Sequence, residues 1–194
     1  MRVIDCHTHP EFEDEKLKKT AKENKINFSY KGLLEEMRKN NVKRIVGISS
    51  NIKSNELIAN LMQRDKRILA IRFVSTSNIS KKTLIGLNKE LDWGKFKGIK
   101  LPPGYEYFYP NETKCNQIYR IAEKYNAPVI FHSGDTWRAI EKTKIKYAHP
   151  VYVDDVAVGH PDLKIIVAHS GNPWVVDAAE IAYKNENVFL DISG

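Results

Sequence analysis

Four of the six histidines in this chain of 194 residues stand where short apolar runs end. His7 and His9 follow Val3-Ile4-Asp5-Cys6, His132 closes Pro128-Val129-Ile130-Phe131, and His169 closes Lys164-Ile165-Ile166-Val167-Ala168. The spacing of the first pair has a chemical meaning. In extended backbone, residues i and i+2 point the same way, so His7 and His9 offer two imidazoles to one point. Neutral imidazole suits zinc, iron, nickel or copper. A catalytic zinc usually has three protein ligands and an open place for water, and His132 is the candidate third ligand. A lone strand-end histidine is more often a hydrogen-bonded structural residue, and His-x-His alone is a weak signal. Four such histidines together point to a metal site.

His149 and His160 differ, because each precedes a proline and neither ends an apolar run. His160-Pro161-Asp162-Leu163 reads as the turn into the sixth run, so His160 is read as structural. His149 is read as a loop residue at the mouth of the site, in reach of substrate.

Elements must carry these residues to one place. The apolar runs are Val3 to Cys6, Arg44 to Ile48, Ile68 to Val74, Gly98 to Leu101, Val129 to His132, Lys164 to Ala168, and Val188 to Ile192. Uninterrupted runs rich in Val, Ile and Phe suit strands buried on both faces, as in a parallel sheet. Between them lie helix-like stretches at 33–37, 55–62, 117–125 and 174–183, the last with Pro173 as its start signal. The polar stretch Glu11 to Lys25 reads as a surface helix or insertion. Strand-then-helix repetition predicts βα units and an α/β fold.

A dinucleotide-binding sheet would want a glycine-rich turn after the first strand. His7-Thr8-His9-Pro10 stands there instead, which favours a (β/α) TIM barrel. In such a barrel the strand ends meet at one face, where active sites are built. The expectation is a single barrel domain over 1–194 with seven of the eight strands present, truncated or incomplete at the C-terminus. The open first and seventh strands would then be covered by a homodimer partner, unless the chain is a fragment.

Composition sets the remaining bounds. Apolar residues make up 42% and charged residues 28%, as in ordinary globular proteins. The formal charge is +7, but the lysines alternate with glutamates and apolar residues, and no aromatic-basic motif supports nucleic-acid binding. An anionic substrate agrees with the charge. No run is long enough to span a membrane and no signal peptide is read, so a cytoplasmic location is expected. Cys6 and Cys115 are not in metal spacing and are expected to be buried free thiols.

These residues resemble a family. Ile4-Asp5-Cys6-His7-Thr8-His9 resembles the opening strand of the amidohydrolase superfamily, Gly98-Ile99-Lys100-Leu101 its fourth, and Pro128 to His132 its fifth. His160 to Gly171 is similar to the sixth strand of the amidohydrolase-related branch, which includes aminocarboxymuconate-semialdehyde decarboxylase, and Asn187 to Ser193 resembles the seventh. The resemblance implies that His7, His9 and His132 bind one divalent metal, most often Zn2+, with Mn2+ or Fe2+ as alternatives. It implies that His169 acts as an acid/base on water or substrate. The family's eighth strand supplies an aspartate that no residue here matches, and Asp191, on the seventh, is not its substitute.

Lesser candidates complete the set. Lys100 is read as a contact for a substrate anion rather than a bridging ligand. Tyr105, Tyr107, Phe108 and Tyr109 form a loop that could cover substrate. Asp135 is expected to cap the next helix, with Trp137 or Arg138 touching substrate. Trp174 is expected in the core, and Asp154-Asp155 at the opening of a helix. Asp5 is read either as orienting a ligand or as buried beneath the site. The functional expectation is hydrolysis of an amide, ester or lactone carbonyl in a small molecule, with a carboxylate as one substrate class. The alternatives are metal-dependent decarboxylation on the same fold, and a catalytically incomplete barrel that serves as a binding or structural module.

Overall fold

The apolar runs become strands, and within each part of the chain these strands pair in parallel. The structure is a computed structural model that describes residues 3–136 and 142–193. It divides into two units, residues 1–73 and 74–194. The chain runs through both as alternating strands and helices, which is the α/β pattern of a TIM barrel.

The first unit holds β1 (Val3–Thr8), α1 (Glu15–Glu23), α2 (Tyr30–Lys39), β2 (Val42–Ile48), α3 (Ser54–Arg64) and β3 (Ile68–Phe73). Its first two helices start on side-chain caps. Asp14 Oδ1 accepts the Leu17 amide at 2.9 Å, and Ser29 Oγ accepts the Gly32 amide at 3.0 Å, satisfying donors that the first helical turn leaves open. β2 pairs with β3 from Ile45↔Ile68 to Ile48↔Ile71, and Ile45, Ile48, Ile68 and Ile71 are buried, as is Ile58 on α3. Asn55 brackets Phe73, giving Nδ2–H to its carbonyl at 3.0 Å and taking its amide at 2.8 Å. A buried Asp65 carboxylate takes the Arg67 guanidinium and the Tyr30 hydroxyl. The guanidinium, against the opposing effect of burial, holds its carboxyl well below the usual carboxylate range.

β1 departs from the expectation of strands buried on both faces. Its register with β2 is irregular, and Ile4, Asp5 and Cys6 are exposed. Cys6 is therefore not a buried thiol, whereas Cys115 is. Burial pushes the Cys115 thiol up to about 11.

The second unit holds α4 (Lys81–Asp92), β4 (Gly98–Leu101), α5 (Asn116–Lys124), β5 (Val129–Phe131), α6 (Val151–Gly159), β6 (Ile165–Val167), α7 (Val175–Lys184) and β7 (Val188–Leu190). The register runs Leu101↔Phe131↔Val167↔Leu190, with Lys100↔Ile130↔Ile166↔Phe189 one step earlier. Strand side chains alternate between faces. Ile99, Leu101, Val129, Phe131, Ile165 and Val167, all fully buried, share one face. Lys100, Ile130 and Ile166 share the other.

A short 3-10 turn begins at Ile145 and ends at Ala148. Asp154 and Asp155 lie inside α6, which opens at Val151 behind Pro150. The helix expected after Asp135 falls at residues 137–141, outside the described residues. Among the described residues no helix is long and apolar enough to cross a membrane.

Candidate active site

In the first unit, β1 delivers His7-Thr8-His9. Thr8 Oγ1 donates to the Val46 carbonyl at 2.9 Å, which fastens this end of β1 to β2. The His7 and His9 Nε2 atoms stand 3.2 Å apart. His9 Nδ1 lies 2.9 Å from the Ile48 carbonyl oxygen. A carbonyl only accepts, so Nδ1 carries the proton, and in the neutral ring Nε2 keeps its lone pair. Ser50 Oγ is 3.0 Å from the same Nδ1. The Ser50 amide in turn donates to Glu11 Oε1 at 2.7 Å, and Glu11 is buried. Asp5, exposed rather than buried, takes the His7 amide on Oδ1 at 3.1 Å.

Among the described residues, no three or more His, Cys, Asp or Glu side chains are gathered closely enough to hold an ion. The His7–His9 pair nonetheless fits two positions of a ligand set. Two nitrogens each about 2.0 Å from one tetrahedral ion lie about 3.3 Å apart. The carbonyl on His9 Nδ1 is the usual outer partner of a metal-binding imidazole.

In the second unit, His132 lies just beyond β5, and its amide donates to the Leu101 carbonyl at 2.9 Å. Asp191 lies just beyond β7, and its amide donates to the Val167 carbonyl at 2.9 Å. By alternation both residues fall on the face that carries Lys100, one layer nearer the strand ends. His169 is one residue out of step and would by strand alternation turn to the helix side. Its backbone instead adopts φ +57°, followed by Ser170 at φ +48°. Each left-handed non-glycine residue costs roughly 1–2 kcal/mol, and the pair persists because its surroundings fix it. The Ser170 amide and hydroxyl both donate to the Asp191 carbonyl, at 2.6 and 3.2 Å. The turn brings the His169 ring to 5.3 Å from the His132 ring. His169 Nδ1 is 3.0 Å from the Ser193 carbonyl oxygen, which again leaves Nε2 as the lone-pair nitrogen.

Gly134 locks the loops that carry the two histidines. Its φ is +64°, and a Cβ there would lie 1.9 Å from the Asn172 carbonyl oxygen and 2.6 Å from that of Gly171. A cavity of about 230 Å³ opens beside this turn, lined by Asp135, His169, Ser170, Asn172, Val175 and Ser193.

Lys100 is 6% exposed, and among the described residues its Nζ has no hydrogen-bond partner. Burial pushes its ammonium down to about 7, while the Asp191 charge opposes that shift. The Tyr105 ring lies 4.6 Å from the His132 ring, so the loop after β4 does reach this histidine. Glu106 holds that loop, taking the Thr76 amide at 2.6 Å and its hydroxyl at 2.9 Å on Oε2. His149 packs on Trp174 at 4.4 Å, and its Nε2 is 3.8 Å from Asp177 Oδ2. Trp174 is half-buried rather than core. His160 bonds Glu123 at 3.1 Å. Trp137 and Arg138 lie outside the described residues.

Sequence reasoning did not find Glu11, Glu106 or Ser193. Glu11 and Glu106 act on backbone amides distant in sequence, and Ser193 acts through its carbonyl on the His169 ring, so no local pattern marks them.

The sequence profile of the amidohydrolase family (Amidohydro_2) matches residues 4–194. The chain belongs to this family. No curated protein sequence matches it. Solved structures share its fold at low identity. An uncharacterized TIM-barrel protein from Bordetella bronchiseptica superposes with a TM-score of 0.81 at 18% identity, over 100% of this chain and 75% of that one. A probable 2-pyrone-4,6-dicarboxylic acid hydrolase from Acinetobacter baumannii, solved with citric acid bound, gives 0.61 at 14%, over 100% and 71%. A 5-carboxyvanillate decarboxylase from Novosphingobium aromaticivorans, solved with bound manganese, gives 0.60 at 13%, over 78% and 53%.

Proposed function

We propose that this amidohydrolase-family chain is a metal-dependent hydrolase of a small carboxylated molecule, attacking an amide, ester or lactone carbonyl. The observation that carries the reading is the pair of Nε2 atoms 3.2 Å apart on His7 and His9, with the His9 proton held on Nδ1. His7, His9 and His132 would hold one divalent ion, zinc being the first expectation from an imidazole donor set and manganese or iron the alternatives. When bound, such an ion acts as a Lewis acid toward the carbonyl and makes hydroxide available from water near neutral pH.

The chain's own residues do the rest. His169 presents Nε2 to take the proton of the attacking water and return it to the leaving group. Lys100 offers a buried positive charge that a substrate carboxylate would partner and stabilise. The Tyr105 ring, against His132, walls the site on the loop side, and Trp137 and His149 remain candidates for substrate contact.

A second reading is decarboxylation on the same residues. A buried lysine with no hydrogen-bond partner among the described residues suits a substrate whose carboxylate is the reacting group, and one solved relative of this fold is a decarboxylase. One experiment tests both. Purified protein is analysed for metals with and without His7→Ala, then assayed in ¹⁸O-labelled water against a panel of carboxylated esters, lactones and phenols. The unmutated chain should hold near one ion and the variant far less, and the product should carry the label. Release of CO2 with no label in the organic product would replace hydrolysis by decarboxylation. Metal content near zero in the unmutated chain would sink both readings.

A further inference from the structure

We propose that Asp191 is a positioning residue that sets the tautomer of His169. The inference rests on His169 serving as the acid/base of the proposed reaction, but its test reads the imidazole directly and stands whether or not a substrate is ever found.

The chain of contacts is short. The Ser193 amide donates to Asp191 Oδ1 at 2.8 Å. That bond folds residues 191–193 back beside the turn after β6. The Ser193 carbonyl then lies 3.0 Å from His169 Nδ1, and its hydroxyl 3.2 Å away. Because the carbonyl can only accept, this arrangement keeps the proton on Nδ1 and the lone pair on Nε2. From its backbone, Asp191 holds the same turn a second time, by accepting both donors of Ser170. Asp191 is 8% exposed, so little water competes for its carboxylate. Lys100 lies on the same strand face, and its ammonium is raised by the Asp191 charge against the larger effect of burial. One side chain thus fixes the last residues of the strand, and those residues fix the ring.

The test is long-range ¹⁵N–¹H correlation spectroscopy on the zinc-loaded protein, with the His169 signals assigned from a His169→Gln control. In the unmutated chain the His169 proton should sit on Nδ1. Asp191→Asn, whose side-chain oxygen can still take the Ser193 amide, should keep it there. Asp191→Ala should shift the tautomer ratio toward the Nε2–H form by about fivefold or more, the ratio one hydrogen bond supports. Zinc content should be unchanged in all three proteins. If Asp191→Ala does not fold, Ser193→Pro, which deletes the donor N–H together with the hydroxyl but keeps the carbonyl, should give the same shift. A His169 proton that stays on Nδ1 in Asp191→Ala, or in Ser193→Pro where that is the variant measured, overturns the proposal.

Discussion

Two cysteines of one chain behave as opposites. Cys6 is exposed on β1, beside His7, while Cys115 is enclosed and its thiol is pushed up to about 11. The thiolate is the reactive form. A maleimide at pH 8 should therefore label native protein at Cys6 alone, and Cys115 only after denaturant is added. Peptide mass mapping reads the result, and fast labelling of Cys115 in native protein would refute it. At this scale the sequence was partly legible. The histidines could be singled out because their types and their positions at the ends of apolar runs are visible in one dimension. Glu11 could not, since its meaning is a bond to the Ser50 amide 39 residues away. The exposure of Cys6 was equally hidden, because burial depends on what covers a strand and not on the strand's own letters.

At the level of elements, the second unit depends on how closely two loops approach. Gly134 and the Gly171–Asn172 backbone leave no room for a Cβ. Gly134→Ala should cost about 3 kcal/mol or more, because backbone must move to relieve the clash and the glycine φ is lost as well. Denaturant titration measures the loss, and a change below about 1 kcal/mol would show that the loops yield easily. Strands β2 to β5 could be read within two residues from Val, Ile and Phe density alone. The helices were less even. α6, Val151–Gly159, mixes apolar and acidic residues with little one-sided pattern, so the periodicity that marks α5 is absent there. The left-handed turn at His169-Ser170 had no signal at all. Neither residue is a glycine, and the bonds that hold the bend reach the Asp191 and Ser193 carbonyls, more than twenty residues on.

For the molecule as a whole, Lys100 ties stability to pH. Its folded value of about 7 lies below the ordinary 10.5. Between those two pH values the unfolded chain binds a proton that the folded chain has released, so stability gains with rising pH across that window. Lys100→Met should raise stability near pH 7 by a few kcal/mol and flatten the rise toward pH 10. Thermal melts of both proteins from pH 6 to pH 10 give the comparison, and parallel curves would show that the ammonium is not held in a low-dielectric site. The tight seam at Gly134 has a consequence for motion. Loops with no clearance between them cannot fluctuate independently, so residues 132–134 and 170–172 move as one body or stay still. A displacement at His132 would therefore pass through Gly134 to the Gly171–Asn172 backbone that follows His169.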